Sequence, residues 1–311
     1  QDGPPPAARG FNRAAVVPDP MPTPYGEWPS PVAPEDVAAD VRGFASVAID
    51  GDHVYWLERR PSEGGRGVVC RAPLDDPDAG PTDDSNAGPT EVTPDELDVR
   101  TLVHQYGGGD VLVEDGTLVV ANMDDQRLYR LPADGRAAEG DAEPTPVTPE
   151  PSEPMGHRYA DMRLSPDGET VYAVRERHVG PGTDEEPRNE LVRFPLFPGA
   201  DGETGAADPV VVAEGHDFYA APRPAPGGDR LAYLRWDHPN MPWDGTELVV
   251  AAVGEAGDLR DERVVAGGSE ESVVSPKWSP DGVLHAAADR TGWWNLYRFP
   301  AASGDGDAAL P

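Results

Sequence analysis

The chain has 311 residues, and its 57 acidic residues against 25 basic ones give it a formal net charge of −32 at pH 7. Such an excess of carboxylates disfavours nucleic acids and anionic membrane surfaces as partners, because both repel a negatively charged protein. The acidic residues are spread along the whole sequence. This favours a surface adapted to high salt, as in a halophilic cytosol, over the alternative of a surface that recruits cationic ligands.

The cysteine content and the first residues of the chain exclude several further classes of protein. Cys70 is the single cysteine, so neither an intrachain disulfide nor a cysteine cluster for zinc is possible. No apolar run approaches the length of a membrane span, and residues 1–20 lack the charged-then-apolar order of a signal peptide. We therefore expect a cytoplasmic protein with a disordered, Pro-rich tail over residues 1–24 and a folded domain over residues 25–311.

A degenerate repeat follows the tail. The segment "LSPDGETVYAVRE" at 164–176 resembles "WSPDGVLHAAADR" at 278–290, and "PAPGGDRLAYLRW" at 224–236 is a looser copy. The equivalent turn glycines are Gly51, Gly116, Gly168, Gly228 and Gly282, at intervals of 65, 52, 60 and 54 residues. These intervals are too long for one hairpin and fit a four-stranded unit with loops of variable length.

Each unit contains four short antiparallel strands, a to d, and no convincing amphipathic helix, a pattern typical of a β-propeller. A solenoid of β-arches is the alternative, but its coils are shorter than these units. We predict an all-β protein with about five four-stranded blades, at roughly 42–93, 105–149, 159–213, 219–266 and 273–311. The fifth unit lacks a recognisable strand d, so we expect an incomplete ring and a fragment of a longer protein.

Antiparallel order places the a–b and c–d turns at one end of each blade and the b–c and d–a loops at the other. The acidic low-complexity insertions fall at the first end, and their acids lack the spacing of a calcium loop. The second end collects aromatic side chains beside His, Asn and acids, which is typical of a recognition or docking surface. Its candidate site residues are Tyr106, His216, His238, Met241, Trp243, Glu270, Glu271, Trp293 and Trp294. His104, Phe218 and Tyr219 belong to the same end, and packing between adjacent blades is the alternative role for each aromatic residue.

No complete active site is recognisable. The nucleophile-elbow pattern G-x-S-x-G is absent, since Gly267-Gly268-Ser269 is followed by Glu270. The spacing of a zinc peptidase is missing, and "QYGGGD" at 105–110 has no helix after it to cradle a phosphate. We expect no catalytic residue, no metal and no cofactor in this chain.

Several motifs, in order along the chain, carry a family resemblance. They include "VHQYGGG" at 103–109, "GHDFYAAPR" at 215–223, "WDHPNMPWDGTEL" at 236–248 and "DRTGWWNLYRF" at 289–299. Together they resemble the N-terminal propeller of the prolyl-oligopeptidase-type serine peptidases, family S9. The dipeptidyl aminopeptidase or acylaminoacyl peptidase branch is the most similar. The likeness runs from about residue 25 to 298, with a propeller of the TolB-like type.

The resemblance implies a non-catalytic role. In that family the propeller precedes an α/β-hydrolase domain that carries the Ser, Asp and His of the active site, and none of these maps onto this chain. The implied partners are a C-terminal hydrolase domain of the same polypeptide and short peptide substrates. Dipeptidyl peptidases of the clan hold the substrate ammonium with a propeller Glu pair, for which Glu270-Glu271 is the first candidate and Glu185-Glu186 the second.

Two other functions stay open at this point. A stand-alone TolB-like propeller would use the same surface to bind a protein or a small ligand. A lyase or glycosidase would need paired carboxylates or a histidine cluster on the innermost strands, where the sequence shows none convincingly.

The charge generates a first prediction. We expect the chain to lose β-structure in dilute buffer and to regain it in concentrated salt, because a charge of −32 repels itself when it is unscreened. Far-UV circular dichroism across a salt series measures this directly. A strand spectrum that is unchanged in dilute buffer would contradict the high-salt interpretation.

Overall fold

The computed structural model describes residues 31, 41–74, 89–178, 186–197 and 206–299. All the strands given below belong to one compact unit, which begins at Arg42. The acidic insertion at 75–88, Glu185 and residues 300–311 lie outside the described residues. Within the described ranges, no helix has the length and apolar character needed to cross a bilayer.

The strands form five antiparallel sheets in chain order. Blade 1 contains β1 (Gly43–Asp50), β2 (His53–Arg60), β3 (Arg66–Pro73) and β4 (Thr90–Glu91), with a 3-10 turn at Pro61–Glu63. Blade 2 contains β5 (Val111–Glu114), β6 (Thr117–Ala121), β7 (Leu128–Pro132) and β8 (Thr145–Pro146). Blade 3 contains β9 (His157–Leu164), β10 (Thr170–Arg177), β11 (Arg188–Pro195) and β12 (Val210–Ala213). Blade 4 contains β13 (Phe218–Pro224), β14 (Arg230–Trp236), β15 (Glu247–Val253) and β16 (Leu259–Gly267), and blade 5 contains β17 (Val273–Trp278), β18 (Leu284–Ala288) and β19 (Asn295–Phe299).

This arrangement confirms the predicted all-β propeller with five blades. The first four sheets have four strands each, and the fifth has three within the described residues. The innermost strands of successive blades, β1, β5, β9, β13 and β17, lie side by side. Cys70 lies buried in β3, where burial raises the pKa of its thiol to about 11.

The middle strands of blades 3 and 4 are buried on both faces, because each of these blades is packed between two others. The "TVYAVRE" segment of β10 is buried almost throughout. Between blades 2 and 3, Tyr159 packs edge-on against Phe194 with ring centroids 6.5 Å apart, in a cluster that also contains Leu128 and Met162. Each fully buried side chain of this kind contributes about 1.5–3 kcal/mol, so contact between blades is the main source of stability.

A β-bulge recurs in the innermost strands and was not predicted from the sequence. Ser46, Asp161, Ala221 and Ser275 have φ between 51° and 56°, each at a register shift of its strand. The bulge turns backbone groups sideways, toward the neighbouring blade. Asp161 donates its N–H to the Gly109 carbonyl (2.9 Å), and its carboxylate accepts from the Ala221 N–H (2.8 Å) and the Arg223 guanidinium (3.3 Å). One residue therefore joins three consecutive blades.

The bulge generates a second prediction. Asp161→Asn keeps an acceptor for the Ala221 N–H and tolerates the left-handed backbone, but its NH2 group then faces Arg223, so it should lower the free energy of unfolding by about 2 kcal/mol. Asp161→Val loses the acceptor and places a β-branched residue at positive φ, so it should cost about 3 kcal/mol. Urea unfolding at fixed salt measures both variants. Equal losses for Asn and Val would contradict the role assigned to the bulge.

Candidate functional site

An aromatic cluster occupies the b–c and d–a end of blades 3 and 4. Phe218 begins β13 and pairs across the ladder with Trp236 at the end of β14, and their rings stack at 5.1 Å. His104, from the loop before β5, meets Phe218 and Trp236 edge-on at 5.3 and 5.7 Å. Tyr106 reaches back to the His104 Nδ1 atom at 3.4 Å. The structure thus brings Tyr106, His104 and Phe218 together at the end of the blades where the sequence analysis predicts them.

Two His–Asp pairs border this cluster. His216 Nδ1 lies 2.7 Å from Asp237 Oδ2, and His238 Nδ1 lies 2.9 Å from Asp217 Oδ2. His238 also packs its ring against Phe218 at 4.9 Å. The two predicted histidines therefore lie on adjacent loops, and each is held by a carboxylate of the other loop.

An acidic cavity of about 240 Å³ opens beside the aromatic cluster. Its lining includes His104, Glu176, Glu186, Asn189 and Asp217. Burial lowers the pKa of His104, and the Glu176 carboxylate only partly offsets this, so the ring is neutral at pH 7. The lining thus offers three carboxylates and a neutral imidazole, which is an environment suited to a cation.

Glu176 is the buried carboxylate of this cavity, with 2% of its surface exposed. It accepts a hydrogen bond from the His104 backbone N–H (2.6 Å), and Arg158 lies 3.5 Å away. The His178 ring contacts the other carboxylate oxygen. These partners fix the position of Glu176 and satisfy it in the absence of a ligand.

The loop 237–246, which we call the recognition loop, projects above the cluster. Asn240 Nδ2 donates to the Ser269 carbonyl (2.9 Å), and the Thr246 N–H donates to the Glu271 carbonyl (3.1 Å). These bonds anchor the recognition loop to the d–a loop of blade 4. Met241 and Trp243 stay in solvent, 41% and 63% exposed.

The exposed apolar surface extends over other blades at the same end. Trp293 and Trp294, between β18 and β19, are 80% and 50% exposed, and Tyr106 is 68% exposed. Tyr219 behaves differently: it is fully buried between blades 3 and 4, 6.1 Å from Tyr233. Packing between blades, the alternative role, is therefore the observed one for Tyr219.

The two candidate Glu pairs differ in their surroundings. Glu271 accepts two hydrogen bonds from Arg290, at 3.0 and 2.8 Å, whereas Glu270 is exposed. Glu185 lies outside the described residues, and Glu186 lines the acidic cavity. Of these acids, Glu186 is placed with other carboxylates, and Glu271 is already neutralised by a guanidinium.

Sequence reasoning missed four polar residues of this end: Glu176, Asn189, Asp217 and Asp237. The sequence contains one clue to two of them. A His-Asp dipeptide precedes β13 and an Asp-His dipeptide follows β14, so each His faces an Asp where these paired strands end. Among the described residues, no group of three or more His, Cys, Asp and Glu is placed to hold a metal ion.

The propeller is similar to solved peptidase structures. A puromycin-hydrolyzing peptidase of Mycobacterium tuberculosis is 38% identical over 93% of this chain, with a TM-score of 0.75. A puromycin hydrolase is 36% identical over 93% of this chain, with a TM-score of 0.76. Prolyl oligopeptidase B of Galerina marginata, bound to a macrocyclization substrate, shares the fold at 11% identity and a TM-score of 0.56, over 88% of this chain and 38% of its own.

This chain covers 42% of each of the two puromycin-hydrolyzing enzymes, so it spans less than half of their length. No protein-family model and no curated protein sequence matches it.

Proposed function

This chain is a β-propeller of the prolyl-oligopeptidase-type (S9) serine peptidase family, and we propose that it is the non-catalytic, gating portion of an exopeptidase acting on short peptides. The observation that carries the proposal is the exposed apolar surface at one end of the propeller. Its members are Tyr106, Met241, Trp243, Trp293 and Trp294. Large aromatic side chains rimmed by polar groups are typical of an interface rather than of a surface left in water.

The occupant that we propose for this surface is a C-terminal α/β-hydrolase domain of the same polypeptide. The related enzymes are more than twice as long as this chain, which is consistent with a second domain of substantial size. A hydrolase domain set against this end would enclose the acidic cavity between the two domains. Substrates would then need to be small enough to enter the enclosed space.

The acidic cavity supports a role in substrate binding. Peptides with a free N-terminus carry an ammonium group, and carboxylates in a partly desolvated site bind ammonium groups strongly. Glu186 lies in the cavity, whereas Glu270 and Glu271 lie on the adjoining d–a loop. We propose Glu186 as the first acid of amine recognition and Glu270 with Glu271, which is paired to Arg290, as the second pair. The enzyme would be a cytoplasmic aminopeptidase or acylaminoacyl-peptidase-like enzyme of a salt-adapted organism. His216 and His238 border the site.

The third prediction concerns activity. The purified 311-residue chain should not hydrolyse aminoacyl-nitroanilides or puromycin, because the proposal places the catalytic residues in another domain. The longer polypeptide encoded by the continuing reading frame should hydrolyse at least one of these substrates. Turnover by the rigorously purified chain would contradict the proposal.

The DNA sequence downstream of the Pro311 codon distinguishes a peptidase from a stand-alone propeller. A frame that continues through further strands and a G-x-S-x-G motif supports the peptidase. A stop codon shortly after one more strand would instead support a stand-alone TolB-like propeller that binds a protein or a small ligand.

The fourth prediction concerns amine recognition in the longer polypeptide. Glu186→Gln should raise KM for a free-amine dipeptide substrate about tenfold, which corresponds to about 1.4 kcal/mol, and should leave KM for its N-acetylated analogue unchanged. Glu270→Gln with Glu271→Gln tests the second acid pair in the same assay.

Glu255→Gln is the matched control, because Glu255 is exposed in the turn between β15 and β16 at the opposite end of blade 4. Unchanged KM values in all the Gln variants would contradict the proposal that these acids bind the substrate ammonium group. The proposed gating role would survive that result, because it depends on the exposed apolar surface.

A further inference from the structure

Two short loops with complementary sequences meet at the end of blade 4. His216 and Asp217 immediately precede β13, and Asp237 and His238 immediately follow β14. Because Phe218 and Trp236 are partners in the ladder, the two dipeptides face each other just beyond the last strand pair. This placement follows directly from the register of the hairpin.

Each carboxylate binds both a backbone N–H and an imidazole of the opposite loop. Asp237 accepts from the Asp217 N–H at 2.8 Å and contacts His216 Nδ1 at 2.7 Å. Asp217 accepts from the His238 N–H at 2.8 Å and contacts His238 Nδ1 at 2.9 Å. Both imidazoles must carry their proton on Nδ1 to make these bonds.

The charged groups around the two pairs are mostly acidic. On the His216 side lies Arg235, which is itself paired to Glu247 at 2.8 Å and to Glu262 at 3.4 Å. On the His238 side the acidic cavity contributes Glu176, Glu186 and the neutral His104. Burial raises the pKa of Asp237, but the Asp217 N–H and the His216 ring more than offset this, so its pKa lies below the usual range.

We propose that His216, Asp217, Asp237 and His238 form a pH-dependent latch that fixes the recognition loop. With neutral imidazoles the latch consists of hydrogen bonds alone. With protonated imidazoles the same contacts become two ion pairs, which are stronger. Because an imidazole becomes charged on protonation, the latch tightens when the pH is lowered and loosens when it is raised.

The latch acts on the residues that form the exposed surface. His238 is the second residue of the recognition loop, and Met241 and Trp243 follow it within five positions. When the latch loosens, the loop keeps other anchors on the d–a loop. Asn240 and Thr246 donate to the carbonyls of Ser269 and Glu271, and the Pro242 carbonyl accepts from the Ser272 hydroxyl at 2.5 Å. The latch thus restricts the motion of the loop that carries Met241 and Trp243, whichever partner binds these two side chains.

Hydrogen–deuterium exchange of the 311-residue chain at pH 5.5 and pH 8.0, at one fixed salt concentration, tests the latch. After correction for intrinsic exchange rates, the amides of residues 240, 241 and 243–246 should be protected about threefold more at pH 5.5 than at pH 8.0, as two exposed ion pairs would provide. The double variant His216→Asn with His238→Asn keeps side-chain donors but cannot become charged. Its protection should not depend on pH.

His53→Asn is the matched control, because His53 pairs with Asp52 at 2.6 Å in a turn at the opposite end of blade 1. It should behave as the unmodified chain does. Equal protection of the unmodified chain at both pH values, or a pH dependence that persists in the double variant, would overturn the latch. If the double variant fails to fold by circular dichroism, His238→Asn alone decides the question, with about half the effect.

Discussion

The contact between neighbouring blades at their innermost strands is the constraint on which the rest of the structure depends. The left-handed bulge at Asp161 turns its N–H toward Gly109 and its carboxylate toward Ala221, so blades 2, 3 and 4 are fixed to one another at their innermost strands. Apolar clusters such as the one around Tyr159 then fill the space farther out. When blades stack in this way, burial constrains the amino-acid sequence of the strands, and the sequence of the loops is free to vary.

The same constraint determines where loops from different blades meet. With the sheets packed face to face, the b–c and d–a loops of all blades gather at one end. Phe218 therefore contacts both His104 and His238 there, although His104 is far away in the sequence. The acidic cavity forms beside them because Glu176, at the end of β10, is held by the His104 backbone and not by solvent. A surface built from several blades can be covered by a single partner, which is the property that the proposed gating role requires.

The sequence predicted the number of blades, their order and the end at which the aromatic residues lie, because strand periodicity and turn glycines report local structure. It could not predict the bulges, since Asp161 looks like any polar residue within an apolar strand. It also could not predict that Glu271 is paired with Arg290, or that Tyr219 is buried while Trp243 is exposed. Those outcomes depend on contacts between loops of different blades, which no local pattern encodes.

The central claim is that the exposed apolar surface is one half of an interface with a second domain. Hydroxyl-radical footprinting of Met241 and Trp243, in the isolated chain and in the longer polypeptide, tests it most directly. Phe197, which is exposed at the opposite end of blade 3, serves as the internal reference. The account predicts oxidation of Met241 and Trp243 that is several-fold slower in the longer polypeptide, with Phe197 unchanged. Equal oxidation of Met241 and Trp243 in both proteins would contradict it.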